Sequence, residues 1–375
     1  MSRPRSLALA ALVVSSLVSV AQAPTTLKGA YHGLFHIGAA INEREILGTD
    51  TRGDDILAAQ FDSISPENVL KWALVHPTPD HYSFDLPDKY VSLGEKNHMF
   101  IVGHCLVWHS QVPAWVFQNE NGQPVDRETL LKRMHDHIAT VVGRYKGRVQ
   151  AWDVVNEALN DDGTMRQSPW LKIIGDDFIV KAFQYAHEAD PQAQLNYNDY
   201  SLENEPKRSA AIALIKRLQA AGIPITTVGI QGHDSLAWPT AQLEDETISA
   251  FAKTGVKVAI TELDIDVLPR GVKSNTADVG YNIKSDPKLN PYPEALPDAQ
   301  QQELAHRYAD LFAVYVKHRD VINRVTFWGV SDGDSWLNNW PVRGRTSYPL
   351  LFDRDGKPKP AFDAVMQAEK TSASR

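Results

Sequence analysis

Residues 126–157 read DRETLLKRMHDHIATVVGRYKGRVQAWDVVNE, and the fold is decided by how this stretch is parsed. Asp126 stands where a helix N-cap belongs, and Leu130, Leu131, Met134, Ile138, Val141, Val142 and Tyr145 then recur at helical spacing. Val149–Val155 follows as an almost unbroken apolar run, the pattern of a strand covered on both faces. It stops at the polar pair Asn156 and Glu157. Helix, short buried strand, polar end: this is one unit of an alternating α/β chain.

The same unit repeats outward in both directions. Apolar runs at Leu34–Ala39, Gln60–Ile64, Met99–Val107, Gln194–Tyr197, Thr227–Ile230, Val256–Thr261 and Val325–Val330 predict seven further strands, with amphipathic stretches between them. Gly222 and Gly255 fall where helix C-caps are expected. Asp298 with Gln301 predicts a capping-box-like start for a helix through Tyr308, Phe312 and Val316. Eight strand–helix units imply a parallel sheet, and eight strands close a barrel. The alternative is an open doubly wound sheet, which would carry Gly-x-Gly-x-x-Gly after its first strand and gather polar residues at one switch point. Here the polar residues sit at the end of nearly every run. The expected fold is therefore α/β, a single-domain (β/α)8 (TIM) barrel over residues 24–375, with no repeat, low-complexity tract or linker to divide it.

Residues 1–23 read as a secretory signal peptide. Arg3 and Arg5 precede an apolar run, Leu7–Val20, that is too short to span a bilayer, and Ala21-Gln22-Ala23 is a small-x-small cleavage site. No later segment has the length and apolarity to cross a membrane, so the expected location is secreted or periplasmic. Its removal leaves 36 basic residues against 46 acidic ones. That balance argues against nucleic acid as a partner and suits a soluble monomer. Cys105 is the only cysteine, so no intramolecular disulfide is possible, and its apolar neighbours Ile101–Trp108 predict a buried packing role.

The strand ends hold the chemistry. They offer Glu67, Asn68 and Lys71; His104, Trp108, His109 and Gln111; Asn156 and Glu157; Asn198 and Tyr200; Gln231 and His233; Glu262 and Asp264; and Trp328 with Ser331 and Asp332. In a barrel the C-terminal strand ends share one face, and active sites occupy it. Tryptophan faces cover pyranose rings, while amides and carboxylates take equatorial hydroxyls, so the inventory suits a neutral sugar. Glu157 and Glu262 end the fourth and seventh runs on opposite sides of the mouth. Two carboxylates flanking a glycosidic bond are the minimum for its hydrolysis. Either glutamate could instead cap the barrel in a salt bridge. Asn156 beside Glu157 and His233 as a partner for Glu262 favour the catalytic reading.

Taken in order, these strings resemble the family 10 glycoside hydrolases, from Gly38-Ala39-Ala40 to the final helix near Phe362. The resemblance implies endo-1,4-β-xylanase activity on xylan and xylo-oligosaccharides, a retaining double displacement, and no metal or cofactor. It puts the acid/base on Glu157 and the nucleophile on Glu262, with His233 hydrogen-bonded to the latter. Asn156 and His104 would hold hydroxyls of the sugar at the cleavage point, and Gln231 joins the substrate-binding set. Glu67, Asn68, Lys71 and Gln111 match positions that grip the next sugar on the non-reducing side. Trp108, Trp328 and Trp336 match the aromatic walls, and Asn198 and Tyr200 the floor on the leaving-group side. Two departures stand out. Val69-Leu70 replaces the family's frequent Glu-Met before the Lys-Trp pair, and the connection Asp266–Pro297 is long and rich in Asn, Pro and Lys.

Two other classes compete. A metal-dependent barrel hydrolase would use His32, His36, His104, His109 or His233, but His32 and His36 on one strand would stand about 13 Å apart. A non-catalytic carbohydrate-binding protein would be expected to lack one of the two carboxylates, and this chain has both.

Overall fold

The computed structural model describes residues 26–271 and 277–372; the predicted signal segment, residues 1–23, lies outside them. Nine strands occur among the described residues: β1 His36–Ile41, β2 Ser63–Pro66, β3 Phe100–Val107, β4 Ala151–Asn156, β5 Gln194–Asp199, β6 Thr227–Ile230, β7 His233–Ser235, β8 Lys257–Asp266 and β9 Ile322–Phe327. All pair in parallel in the order β6-β5-β4-β3-β2-β1-β9-β8, and a β6–β8 pairing closes the ring. Eight strands therefore form the barrel. β7 is an extra, pairing His233–Ser235 with Asp264–Asp266 at the far end of β8.

A helix follows each barrel strand: Thr51–Gln60, Asp85–Lys96, Arg127–Arg144, Phe178–Ala189, Glu205–Ala220, Ala241–Ala252, Asp298–Lys317 and Pro360–Ser372. Asp126 caps its helix as predicted, its carboxylate accepting from the Thr129 amide. Gly222 and Gly255 both lie in the left-handed region after their helices, at φ 72° and 83°. Asp298 does not cap: Pro297 holds that position, and Asp298 is the first helical residue. A carboxylate there still faces the positive end of the helix dipole.

Several strands are displaced from their apolar runs. β1 and β2 begin two and three residues later than expected, because Leu34 closes a turn onto Tyr31 and Gln60 ends a helix. Gln60 also accepts the Leu27 amide through its side chain. β9 begins three residues earlier than its run, and β8 continues five residues past Thr261, where Leu263 and Ile265 stay buried. Strand packing is tight enough to need glycine. Gly103 on β3 lies beside the fully buried Trp152 on β4, and a Cβ there would fall 2.1 Å from the indole. Cys105 is buried in the same strand, and burial pushes its thiol well up. Among the described residues no helix is long and apolar enough to cross a membrane.

Candidate active site

β4 delivers Asn156 as its last residue, and Glu157 follows in the left-handed region at φ 56°. That conformation is costly for a side chain with a Cβ. The neighbouring hydrogen bonds hold it. Glu157 Oε1 accepts from Gln231 Nε2 at 3.0 Å and Asn156 Nδ2 at 3.2 Å, and Oε2 accepts from Trp108 Nε1 at 2.8 Å. The Glu157 carbonyl accepts from Arg166 Nε at 3.1 Å.

β8 delivers Glu262 from the other side. Its Oε1 accepts from Asn198 Nδ2 at 2.8 Å, and its Oε2 lies 3.1 Å from His233 Nε2. Asn198 Nδ2 also donates to Asn156 Oδ1 at 2.9 Å, while its own oxygen accepts from Thr261 Oγ1 at 2.6 Å. The two carboxylates are thus joined through two amides, Asn156 and Asn198. Gly229 on β6 makes room for this link, since a Cβ there would fall 2.3 Å from Asn198 Oδ1.

The two acids sit in opposed environments. Burial raises Glu157, its bonds from Gln231 and Trp108 oppose that rise, and the negative charge of Glu262 adds to it. Burial acts on Glu262 in the same upward sense. There the hydrogen bond from His233 and the positive field of His104 and His233 outweigh it and hold the carboxyl below its usual value. Burial alone would lower His233, but Asp264 and Glu262 on its two nitrogens raise it to about 10. The ring is therefore an imidazolium, donating from Nδ1 to Asp264 and from Nε2 to Glu262, each at 3.1 Å.

Around this pair lies a cleft of about 160 Å³. Thirteen of the fifteen candidate residues line it: Glu67, Asn68, Lys71, His104, Trp108, Gln111, Asn156, Glu157, Gln231, His233, Glu262, Trp328 and Trp336. The other two do not. Asn198 is fully buried beneath the carboxylates, and Tyr200 is buried with its hydroxyl accepting from Arg166 Nη2 at 2.7 Å. Lys71 donates to Asn68 at 3.0 Å and stands over the Trp108 ring. Glu67 is raised by burial, against the pull of Lys71. His104 is fixed by Asp153 at 2.9 Å, and Trp336 by a bond to Asp264 at 2.7 Å and by stacking on Trp340.

The roles of several contributors escaped the sequence reading. Asp153 and Asp264 orient the two histidines. Ala277 and Val279 line the cleft from the long connection after β8. Between them Asp278 pairs with Arg166 at 2.9 Å. Burial pushes His109 down to about 4, so a neutral ring lies 3.8 Å from Glu157 Oε2. The histidines of the metal reading are split between the barrel's two ends: His32 and His36 line a cavity at the opposite end from the cleft that holds His104 and His233. The one cluster of potential ligands among the described residues, Glu45, Asp50 and Asp334, contains no histidine.

Comparison with known proteins agrees with this geometry. The glycosyl hydrolase family 10 model matches residues 26–368. The chain is 44% identical to endo-1,4-beta-xylanase A of Xylanibacter ruminicola over 356 residues, covering 95% of this chain and 96% of that protein. It is 42% identical to the beta-1,4-xylanase of Dictyoglomus thermophilum, covering 91% and 90%. A solved family 10 endoxylanase from a sugarcane soil metagenome superposes with a TM-score of 0.88 at 46% identity, covering 92% of this chain and all of that one.

Proposed function

The chain belongs to glycosyl hydrolase family 10, and from that membership we propose that it is an endo-1,4-β-xylanase working by retaining double displacement, with Glu157 as acid/base and Glu262 as nucleophile. The observation that carries this reading is the opposed setting of two buried carboxyls, one raised and one lowered, joined through Asn156 and Asn198.

The mechanism follows from those settings. Glu157 enters protonated and gives its proton to the departing glycosidic oxygen. Glu262, kept ionised by His233, attacks the anomeric carbon and forms a covalent glycosyl-enzyme. Glu157, now a carboxylate, takes a proton from water as that water releases the sugar. Such chemistry calls for carboxyl groups about 5–5.5 Å apart, against the wider spacing of inverting enzymes. Asn156, bonded directly to Glu157 and linked to Glu262 through Asn198, is poised to hold the 2-hydroxyl as charge develops.

The choice of xylose over glucose rests on Trp328 and Trp336, whose rings wall the cleft beside His233. Trp336 is immobilised between Asp264 and Trp340, so an exocyclic hydroxymethyl group would meet a wall that does not give. A higher kcat/KM on cello- than on xylo-oligosaccharides would contradict this. Residues 1–23 we read as an export signal, with a mature N-terminus at Pro24.

Proton NMR of the first products of xylo-oligosaccharide cleavage tests the reaction course. The β-anomer should appear first and mutarotate afterwards; an initial α-anomer would end the retaining mechanism.

A further inference from the structure

The end of the barrel opposite the cleft carries a larger cavity, about 500 Å³. Strand starts frame it, among them His36 of β1, Phe100 of β3, Gln194 of β5 and Lys257 of β8. At its inner wall stands Arg324 of β9, 1% exposed. Arg324 Nε donates to Thr326 Oγ1 at 3.2 Å, but Nη1 has no partner. The guanidinium stands over the Phe100 ring, 5.7 Å from its centroid. Among the described residues no carboxylate lies within ion-pair distance of that guanidinium. A buried, unpaired charge of this kind is one of the least favourable features a fold can keep.

Asp153 offsets part of that charge from beyond ion-pair distance, but the cavity's own rim adds to it. Lys257 and Arg319 bring two more cations to the rim. The one acid lining the cavity, Asp62, is already engaged, with Oδ1 accepting from the Ile37 amide and Oδ2 against His36 Nδ1. Three cations therefore face one occupied carboxylate, in a chain of net charge −8.

β9 also bends to serve this opening. Val258 opposes Ile322 and Ala259 opposes Arg324, so Asn323 is the extra residue of a bulge. Bulges at barrel rims re-aim side chains, and this one brings Asn323 to the cavity beside Arg324. Asn323 Nδ2 reaches Gln194 and Thr227, leaving Oδ1 buried without a donor. An unmet donor and an unmet acceptor thus stand on consecutive residues of one wall.

We propose that this cavity is a binding site for a small oxyanion, with Arg324 as its deep anchor, Lys257 and Arg319 as its rim, and Asn323 accepting from a hydroxyl on the same ligand. A guanidinium fork matches a carboxylate or sulfate bidentately. The added acceptor favours a hydroxy-carboxylate, such as a sugar acid, over an inorganic anion. This site is independent of the xylanase reading.

Isothermal titration of the full chain at low ionic strength, with sodium glucuronate, sodium sulfate and neutral xylose as probes, tests it. Glucuronate should bind saturably and more tightly than sulfate, xylose should produce no matching signal, and saturating glucuronate should leave hydrolysis of neutral xylo-oligosaccharides unchanged. Sulfate binding as tightly as glucuronate would assign the site to inorganic anions and overturn the role given to Asn323. The surface double variant K257Q/R319Q avoids the buried arginine and should weaken glucuronate about tenfold. No saturable binding of either anion, equal affinity in wild type and double variant, or competition with substrate would overturn the proposal.

Discussion

Glu157 and Glu262 are the same residue type, similarly buried, yet their carboxyls shift in opposite senses: burial prevails at Glu157, while His233 outweighs it at Glu262. His233 is the residue that separates them. Held as an imidazolium by Asp264, it fixes Glu262 in the ionised form that the proposed attack requires. Replacing it with asparagine should let the Glu262 carboxyl rise. The acidic limb of kcat/KM against pH should then move to higher pH, because the nucleophile is protonated over more of the acid range. Plateau turnover should fall about 10- to 100-fold, the worth of one hydrogen bond to a charged group. A pH–rate profile with an unmoved acidic limb would deny His233 this role. The sequence made the two acids and His233 legible because each stands just past the end of an apolar run in a recognisable string. It hid the roles of Asp153 and Asp264, which depend on which histidine nitrogen they face, a matter of side-chain direction.

Elements position these groups, and here the loops matter more than the strands. Arg166, in the loop after β4, binds three things at once: the Glu157 carbonyl, the Tyr200 hydroxyl and the Asp278 carboxylate. It ties the long connection after β8 to the backbone that carries the acid. Arg166→Met should loosen both and lower kcat on xylan about 10- to 100-fold, the usual cost of a small misalignment. Aryl xylobiosides with acidic leaving groups need little protonation, so they should suffer much less. An equal loss on both substrates would indicate a general structural defect instead. No periodicity marks an arginine in a loop, nor Ala277 and Val279 as cleft residues, so this layer was not readable beforehand. Strand identities were readable, while their ends were less so. Apolar runs report burial, whereas strand ends are set by ladder bonds, as the extra pairing of β7 with β8 illustrates.

The whole molecule carries its acids at some cost. Glu45 and Glu203 are both raised from the ordinary value near 4.5 to about 7, by burial first of all and, for Glu45, by Asp334 as well. A carboxyl raised in the folded state favours the fold fully below its unfolded pKa and loses that contribution as pH rises through about 7. Arg-paired acids such as Asp88 and Asp177 are lowered, so their contribution is present at neutral pH and lost in acid. Thermal stability should therefore peak near pH 5 and decline toward pH 8. Glu45→Gln should flatten that decline, and a melting temperature that rises from pH 5 to pH 8 would contradict the assignment. At this scale the barrel was legible from eight repeated units, since eight parallel strands leave few other ways to bury two faces at once. The central claim concerns one covalent bond within that barrel. Incubation with a 2-deoxy-2-fluoro-xylobioside bearing an activated leaving group, followed by peptide mass spectrometry, tests it most directly. The sugar should be found on Glu262; a label on any other residue, or turnover without a trapped adduct, would contradict the account.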